Sequence, residues 1–116
     1  MITRLIPKIF YENMNDALDL FRDCLGFSVL HQEGKLAVVK RDGAMAYLVE
    51  DAEYAAKDRP EIALETDTID ELYEEIKSRR PEMLHPNCKE IRKQPWGSRE
   101  FAVLDKTTVC IIFRQW

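Results

Sequence analysis

The side chains that could do chemistry in this sequence are few and widely spaced. Two histidines, His31 and His85, and three cysteines, Cys24, Cys88 and Cys110, are present. Zinc sites and redox pairs require several such residues at short spacings, and here there is no Cys-x-x-Cys pair. A lone histidine with no evident nucleophile partner is usually a surface residue rather than a general base. The pattern therefore predicts neither a nucleophile–base pair, nor a metal site, nor a disulfide framework.

Two carboxylates and a tryptophan are better candidates for ligand binding. Glu61 and Glu65 have the even spacing that places both on one face of a predicted strand. They either line a pocket or form a row that faces solvent. Trp96 lies in the segment QPWGSREFAVLD (94–105), in a Pro-Trp-Gly turn that precedes a predicted strand. Its flat ring suits the wall of a pocket, and the alternative is that it covers the core of a small domain.

Composition excludes several classes of function. The chain has 116 residues, of which 46% are hydrophobic and 33% are charged, so we expect one compact domain or two small halves that share a core. A net charge of −4 disfavours nucleic acid, whose binding depends on phosphate neutralisation. The same charge tolerates or attracts a cationic small molecule. The four glycines are not clustered, so no nucleotide cofactor is expected.

Hydropathy indicates no membrane partner. No apolar run approaches the ~20 residues of a membrane span, and the N-terminus lacks a secretion signal. We expect a cytoplasmic protein.

Apolar spacing predicts the same order of elements twice. Each half reads as a strand, a helix and further strands. In the first half we expect strands over 5–11, 27–32, 35–41 and 44–50, and a helix that begins after Asn13 or Asn15 and ends before Gly26. In the second half we expect strands over 61–66, 99–104 and 109–113, a helix that begins after Asp67 or Thr68 and ends near Arg80, and an irregular stretch over 83–91. Residues 51–59 are interpreted as a linker.

The helices of the two halves align at a shift of 52 residues. That shift superimposes Ala17, Leu20, Phe21 and Cys24 on Ile69, Leu72, Tyr73 and Ile76. A duplicated module of this size cannot bury its sheet alone, so modules 1–58 and 59–116 are expected to pack together. Helices would then cover the outside and leave a concave face as the pocket.

This duplicated order resembles the glyoxalase/bleomycin resistance protein/dioxygenase superfamily, also called the vicinal oxygen chelate superfamily. FRDCLGF (21–27) is similar to the end of that superfamily's first helix, and LAVVKRDGAMAYLVE (36–50) and QPWGSREFAVLD (94–105) resemble the bleomycin-resistance proteins. The resemblance implies an α+β fold with two βαβββ modules that form curved mixed sheets, as a single domain over 1–116. It also implies a homodimer with clefts between modules of different subunits.

Metal-dependent members of the superfamily bind their ion through one His or Glu on each of four strands. The resemblance places those positions at Ile6, Tyr47, Glu61 and Ile112, of which only Glu61 could bind a metal. We therefore expect no metal, no cofactor and no catalytic residue. The alternative is a metal-dependent lyase or oxygenase whose ligands lie at other positions.

The resemblance implies a metal-independent binding protein that confers antibiotic resistance by stoichiometric capture of an amphipathic ligand. Trp96 would stack on a planar ring of that ligand, and Glu61 would attract a cationic group. The expected ligand-binding residues are Tyr47, Glu61, Trp96, Phe101, Ile6 and Ile112.

Overall fold

The structure is a computed structural model that describes residues 1–57 and 59–116. The chain divides into two compact units, Met1–Asp58 and Arg59–Trp116. That these units pack as one domain stays a prediction. None of the helices formed by the described residues is long and apolar enough to cross a membrane.

The first unit is a four-stranded mixed sheet with two helices. Its strands are β1 (Lys8–Tyr11), β2 (Ser28–Glu33), β3 (Leu36–Arg41) and β4 (Ala44–Glu50), and its helices are α1 (Met14–Leu18) and α2 (Ala52–Lys57). A π-helical segment, Asp19–Cys24, continues α1. The strand order is β1-β4-β3-β2, in which β1 runs parallel to β4 and the other neighbours are antiparallel.

The second unit repeats this arrangement. Its strands are β5 (Glu61–Glu65), β6 (Arg92–Lys93), β7 (Arg99–Leu104) and β8 (Cys110–Gln115), and α3 (Ile69–Arg79) is followed by a 3₁₀ turn, Pro81–Met83. The order β5-β8-β7-β6 matches that of the first sheet, with β5 parallel to β8. The predicted α+β fold with two duplicated mixed sheets is confirmed.

One face of the first sheet packs against α1 and one face of the second packs against α3, as the alternation of side chains along each strand requires. In the first unit that face carries Ile9, Tyr11 and Leu48, all of which are fully buried. In the second unit it carries Phe101, whose ring lies 5.1 Å from Tyr73 of α3. The opposite face of each sheet, which points away from these helices, is called its far face below.

In each unit, a side chain at the end of a central strand caps the helix. The strand is β4 in the first unit, where it caps α1, and β8 in the second, where it caps α3. Glu50, at the end of β4, accepts a hydrogen bond from the Met14 N–H at 2.9 Å through its Oε2. Gln115, at the end of β8, accepts from the Ile69 N–H at 2.9 Å through its Oε1. The first N–H groups of a helix have no intrahelical partner, so each strand end satisfies a group that would otherwise lack one. The two units therefore share a tertiary cap as well as a strand order.

The interpretation of 51–59 as a linker is wrong for most of its length, because Ala52–Lys57 forms α2. Alanines favour helix, and Asp51 caps it by accepting the Tyr54 N–H at 3.1 Å. The Tyr54 ring stacks on Phe10 of β1 with centroids 5.0 Å apart. Asp58, which the linker also included, lies outside the described residues.

The fourth strand of the second module, β6, was missed by the sequence analysis. It is two residues long, and its Arg92 and Lys93 are both exposed at the edge of the sheet. A strand this short shows no alternation of apolar and polar residues, and its charges are typical of a sheet edge. In the sequence, the charged segment 89–93 that contains β6 is therefore interpreted as a solvated loop.

Candidate ligand-binding site

The far face of the second sheet carries three rows of directly paired residues. The first row is Glu61, Cys110 and Leu104, the second is Ala63, Ile112 and Ala102, and the third is Glu65, Arg114 and Glu100. Directly paired residues on neighbouring strands point to the same side of a sheet. Glu61 and Glu65 are both exposed and share this face, as their even spacing predicts. Ile112 lies on the same face, between two alanines.

The turn that leads into β7 holds Trp96. The Gly97 N–H donates to the Gln94 carbonyl at 2.9 Å, and the Gln94 N–H donates to the Ser98 carbonyl at 2.7 Å. Pro95 occupies the second position of this turn, where proline is favoured, and Trp96 the third. Gly97 has a φ of 106°, which L side chains rarely adopt. The backbone of Trp96 is thus fixed from both sides.

The side chain of Trp96 is held by a buried carboxylate. Glu100 is 5% exposed, whereas Trp96 is 58% exposed. Three donors converge on Oε2 of Glu100, and they are Nε1 of Trp96 at 3.0 Å, Oγ of Ser98 at 2.5 Å and Nε of Arg114 at 2.7 Å. The tryptophan ring is therefore tied to the sheet at its edge while much of its surface remains accessible.

Electrostatics keep Glu100 ionised. Burial alone would raise the pKa of Glu100, but the hydrogen bonds from Ser98, Arg114 and Trp96, together with the positive charge of Arg114, lower it below its ordinary value. An ionised carboxylate accepts stronger hydrogen bonds than a neutral one. The anchor of the indole N–H is therefore charge-assisted at neutral pH.

Charges of alternating sign extend across the third row of the far face. Arg92 on β6 pairs with Glu100, so the full row is Glu65, Arg114, Glu100 and Arg92. Glu61 differs, because its own row contains Cys110 and Leu104 and no cation. Its charge is therefore not balanced by a cross-strand neighbour.

Cys110 is not an activated nucleophile. Burial, the charge of Glu61 and the nearby Cys88 raise the pKa of the Cys110 thiol. The thiolate is the reactive form of cysteine, and a raised pKa disfavours it. The three cysteines are free thiols.

Two of the expected site residues lie in the first unit. Tyr47, on β4, shares the far face of the first sheet with its cross-strand neighbours Lys8 and Val38. The Tyr47 N–H donates to the Pro7 carbonyl at 2.9 Å. Ile6 immediately precedes Pro7, and both Ile6 and Tyr47 are half-buried. The structure thus brings Ile6 and Tyr47 together in one unit, and Glu61, Trp96 and Ile112 together in the other.

Phe101 lies on the opposite face from Trp96. Its ring is fully buried and stacks on Phe113 with centroids 5.0 Å apart. Because neighbouring strand residues alternate in direction, Glu100 takes the far-face position and Phe101 faces α3. Phe101 therefore supports the sheet from the α3 side, and the proposed binding surface does not include it.

A family model described as Glyoxalase/Bleomycin resistance protein/Dioxygenase superfamily matches residues 3–111. The chain belongs to this superfamily. A member of it, the bleomycin resistance protein of Geobacillus stearothermophilus, is 28% identical over 127 aligned residues, which cover 95% of this chain and 94% of that protein.

Solved structures of other proteins share the fold. A bleomycin-binding protein complexed with bleomycin superimposes with a TM-score of 0.82 at 16% identity, over 99% of both chains. A lactoylglutathione lyase from Agrobacterium tumefaciens superimposes with a TM-score of 0.74 at 13% identity, over 99% of this chain and 95% of the lyase. Both binding proteins and enzymes therefore use this architecture, and fold alone does not distinguish them.

The residues present do not fit the metal site of the superfamily's metal-dependent members. Ile6 and Ile112 have no donor atom, and Tyr47 is a poor substitute for an imidazole or carboxylate. Among residues 1–57 and 59–116, no group of three or more His, Cys, Asp or Glu side chains could hold a metal ion. Glu61 is the one donor of the four positions, and a single carboxylate does not form a stable metal site.

Ser98, Glu100 and Arg114 belong to this site but are not among the residues that the sequence analysis predicts for it. Trp96, Ser98 and Glu100 alternate along the chain, and a spacing of two is the signal that places them on one side of an extended segment. Arg114 gives no such signal, since its contact with Glu100 depends on the register of β7 and β8.

Proposed function

We propose that this protein binds bleomycin, or a small molecule with similar planar and cationic groups, and sequesters it without chemical change. The observation that carries the proposal is the exposed ring of Trp96, anchored at Glu100 on the same face as the exposed carboxylates Glu61 and Glu65. A rigid aromatic ring on the same side of a sheet as exposed carboxylates suits a planar group that carries positive charge. The resistance and binding proteins among its relatives support the choice of ligand.

Each residue has a distinct role in this proposal. Trp96 stacks on a planar ring of the ligand, because its face is accessible and its N–H is already engaged. Glu61 attracts a cationic group, because no cross-strand cation neutralises it. Ile112 adds apolar area between Ala63 and Ala102.

Ile6 and Tyr47 are the ligand-binding residues that we propose for the first sheet. We place the ligand in a cleft between modules of different subunits of a homodimer, an arrangement that the family resemblance implies. Capture is stoichiometric and uses no metal held by the protein.

The test is a titration with metal-free and with copper-loaded bleomycin. Trp96 and Trp116 are the two tryptophans of the chain, so a Trp116→Phe variant reports on Trp96 alone. Saturable quenching of Trp96, with a melting temperature that rises with ligand concentration, is the expected result. No quenching and no change in melting temperature with either form of the drug would overturn the proposal.

Metal analysis of the same preparation separates binding from the enzymatic alternative. Protein purified without chelator is expected to contain far less than one divalent ion per chain. Stoichiometric metal would instead favour a metal-dependent lyase or oxygenase, because a real site retains its ion through purification.

A further inference from the structure

We propose that Glu100 is a positioning residue that sets the orientation of the Trp96 ring for ligand stacking. This inference rests on the proposed function, since it concerns how the stacking residue of that site is held. Glu100 would not touch the ligand, and its effect on affinity would pass through Trp96.

The geometry supports this role because the contact is made at the edge of the indole. Nε1–H is the single hydrogen-bond donor of a tryptophan side chain. Its donation to Glu100 at 3.0 Å leaves the π face of the ring uninvolved. A ring held by its edge can stack on a planar group without losing the contact that orients it.

Glu100 is a rigid anchor because its own carboxylate is held from a turn and from a neighbouring strand. Ser98, the residue before β7, donates to Oε2 at 2.5 Å, and Arg114 donates to the same oxygen from β8 at 2.7 Å. Hydrogen bonds to a charged acceptor are shorter and stronger than those between neutral groups. With 5% of its surface exposed, Glu100 has little room for another rotamer.

Without this anchor an exposed tryptophan would rotate about its side-chain bonds and lose that freedom on binding. Ordering one such side chain at an interface typically weakens affinity by about twofold to tenfold. We expect Glu100→Gln to weaken bleomycin binding within that range. Glutamine keeps the size of the side chain but removes the charge that holds the Trp96 and Arg114 donors.

The first test needs no ligand. In a Trp116→Phe background, time-resolved fluorescence anisotropy reports on Trp96 alone, and its indole N–H gives a separate nuclear magnetic resonance signal. Adding Glu100→Gln is expected to increase the fast local motion of the ring and to speed exchange of the indole proton with solvent. An unchanged anisotropy decay together with an unchanged indole signal would overturn the inference.

The second test is a double-mutant cycle with bleomycin. Glu100→Gln is expected to weaken binding when Trp96 is present and to have no effect in a Trp96→Phe background, which has no indole N–H. An equal loss in both backgrounds would show that Glu100 acts on the ligand or on the fold, and would overturn the inference.

One variant controls for stability, and a second is a milder test of the same anchor. Asp70→Asn breaks the Arg99–Asp70 ion pair, which lies on the α3 side of the same sheet with a shortest distance of 2.7 Å, and is expected to leave the anisotropy of Trp96 unchanged. Ser98→Ala removes one donor from Glu100 while keeping its charge, and a smaller change in the same direction is expected. It serves as the test variant if Glu100→Gln does not fold.

Failure of the inference and failure of the proposed function are distinguishable. If the wild-type chain binds neither form of bleomycin, the proposed function is overturned, while the ligand-free measurements still decide whether Glu100 orients Trp96. If bleomycin binds but the ligand-free signals do not respond to Glu100→Gln, only the positioning role is lost.

Discussion

Trp96 and Glu100 each supply one property that stacking on a ligand requires. Trp96 supplies a large accessible ring, and Glu100 supplies an ionised, buried acceptor that restrains it. Tryptophan offers much contact area for few rotatable bonds, and restraint lowers the entropy lost on binding. Affinity should therefore depend on both residues in a coupled way.

Replacing Trp96 by alanine is expected to weaken bleomycin binding by about tenfold or more. Aromatic side chains that become buried when the ligand binds carry much of the binding energy of a site. Isothermal titration calorimetry measures the change. Trp116→Ala is the matched control, since Trp116 is the other tryptophan and is 69% exposed. Equal affinities of the wild-type and Trp96→Ala proteins would remove Trp96 from the site.

Acid should destabilise the protein partly through Glu100. Burial raises the pKa of this carboxyl, but its hydrogen bonds and the charge of Arg114 lower it further than burial raises it. A folded-state pKa below the unfolded value of about 4.3 stabilises the fold above that pH, and this contribution is lost as pH falls through the folded value. Urea unfolding of Glu100→Gln between neutral pH and about pH 3 should therefore show a weaker pH dependence than wild type.

Asp70 also makes the stability of the fold decrease as pH falls, because the hydrogen bond from Arg99 lowers the pKa of Asp70. Asp70→Asn separates the two effects. If Glu100→Gln and wild type lose stability in parallel on acidification, Glu100 does not hold its charge in the way described.

At the scale of elements, the turn before β7 depends on one backbone conformation. Gly97 has a φ of 106°, and a Cβ added there would meet no atom within 4 Å. Gly97→Ala should therefore destabilise the protein by about 1–3 kcal/mol through backbone strain alone. Thermal or urea unfolding measures the loss.

Gly43 provides the control, because an added Cβ also meets nothing within 4 Å and its φ is not in the left-handed region. Gly43→Ala should change stability by less than about 1 kcal/mol. Similar losses in the two variants would mean that strain at Gly97 is not the cause.

The sequence was sufficient for elements with a clear periodicity and insufficient for the others. The apolar pattern predicts the strand 99–104 with its observed bounds, and it predicts the helix that begins after Thr68. Helix α2 was missed because its six residues are too few to show an apolar stripe. Side-chain contacts such as Arg114 with Glu100 could not be predicted, because they depend on the pairing of distant strands.

At the scale of the whole molecule, we expect a homodimer that binds two ligands. Analytical ultracentrifugation at the concentration of the titration should give twice the mass of the 13.6 kDa chain. Calorimetry should give one ligand per chain, because the proposed cleft uses one module from each of two subunits. A protein that is monomeric at the titration concentration and still binds bleomycin would contradict the dimer cleft.

The first sheet is complete in chain order before the second begins, since its strands all lie between Lys8 and Glu50. During synthesis all four strands of this sheet are therefore made before residues 59–116, whose translation takes roughly 3–12 s at typical elongation rates. The anchor of Trp96 has the opposite timing, because Arg114 lies on β8, the last strand to be made. A nascent chain that stalls before this strand would contain every strand of the first sheet but would lack the Arg114 donor that holds the proposed stacking site.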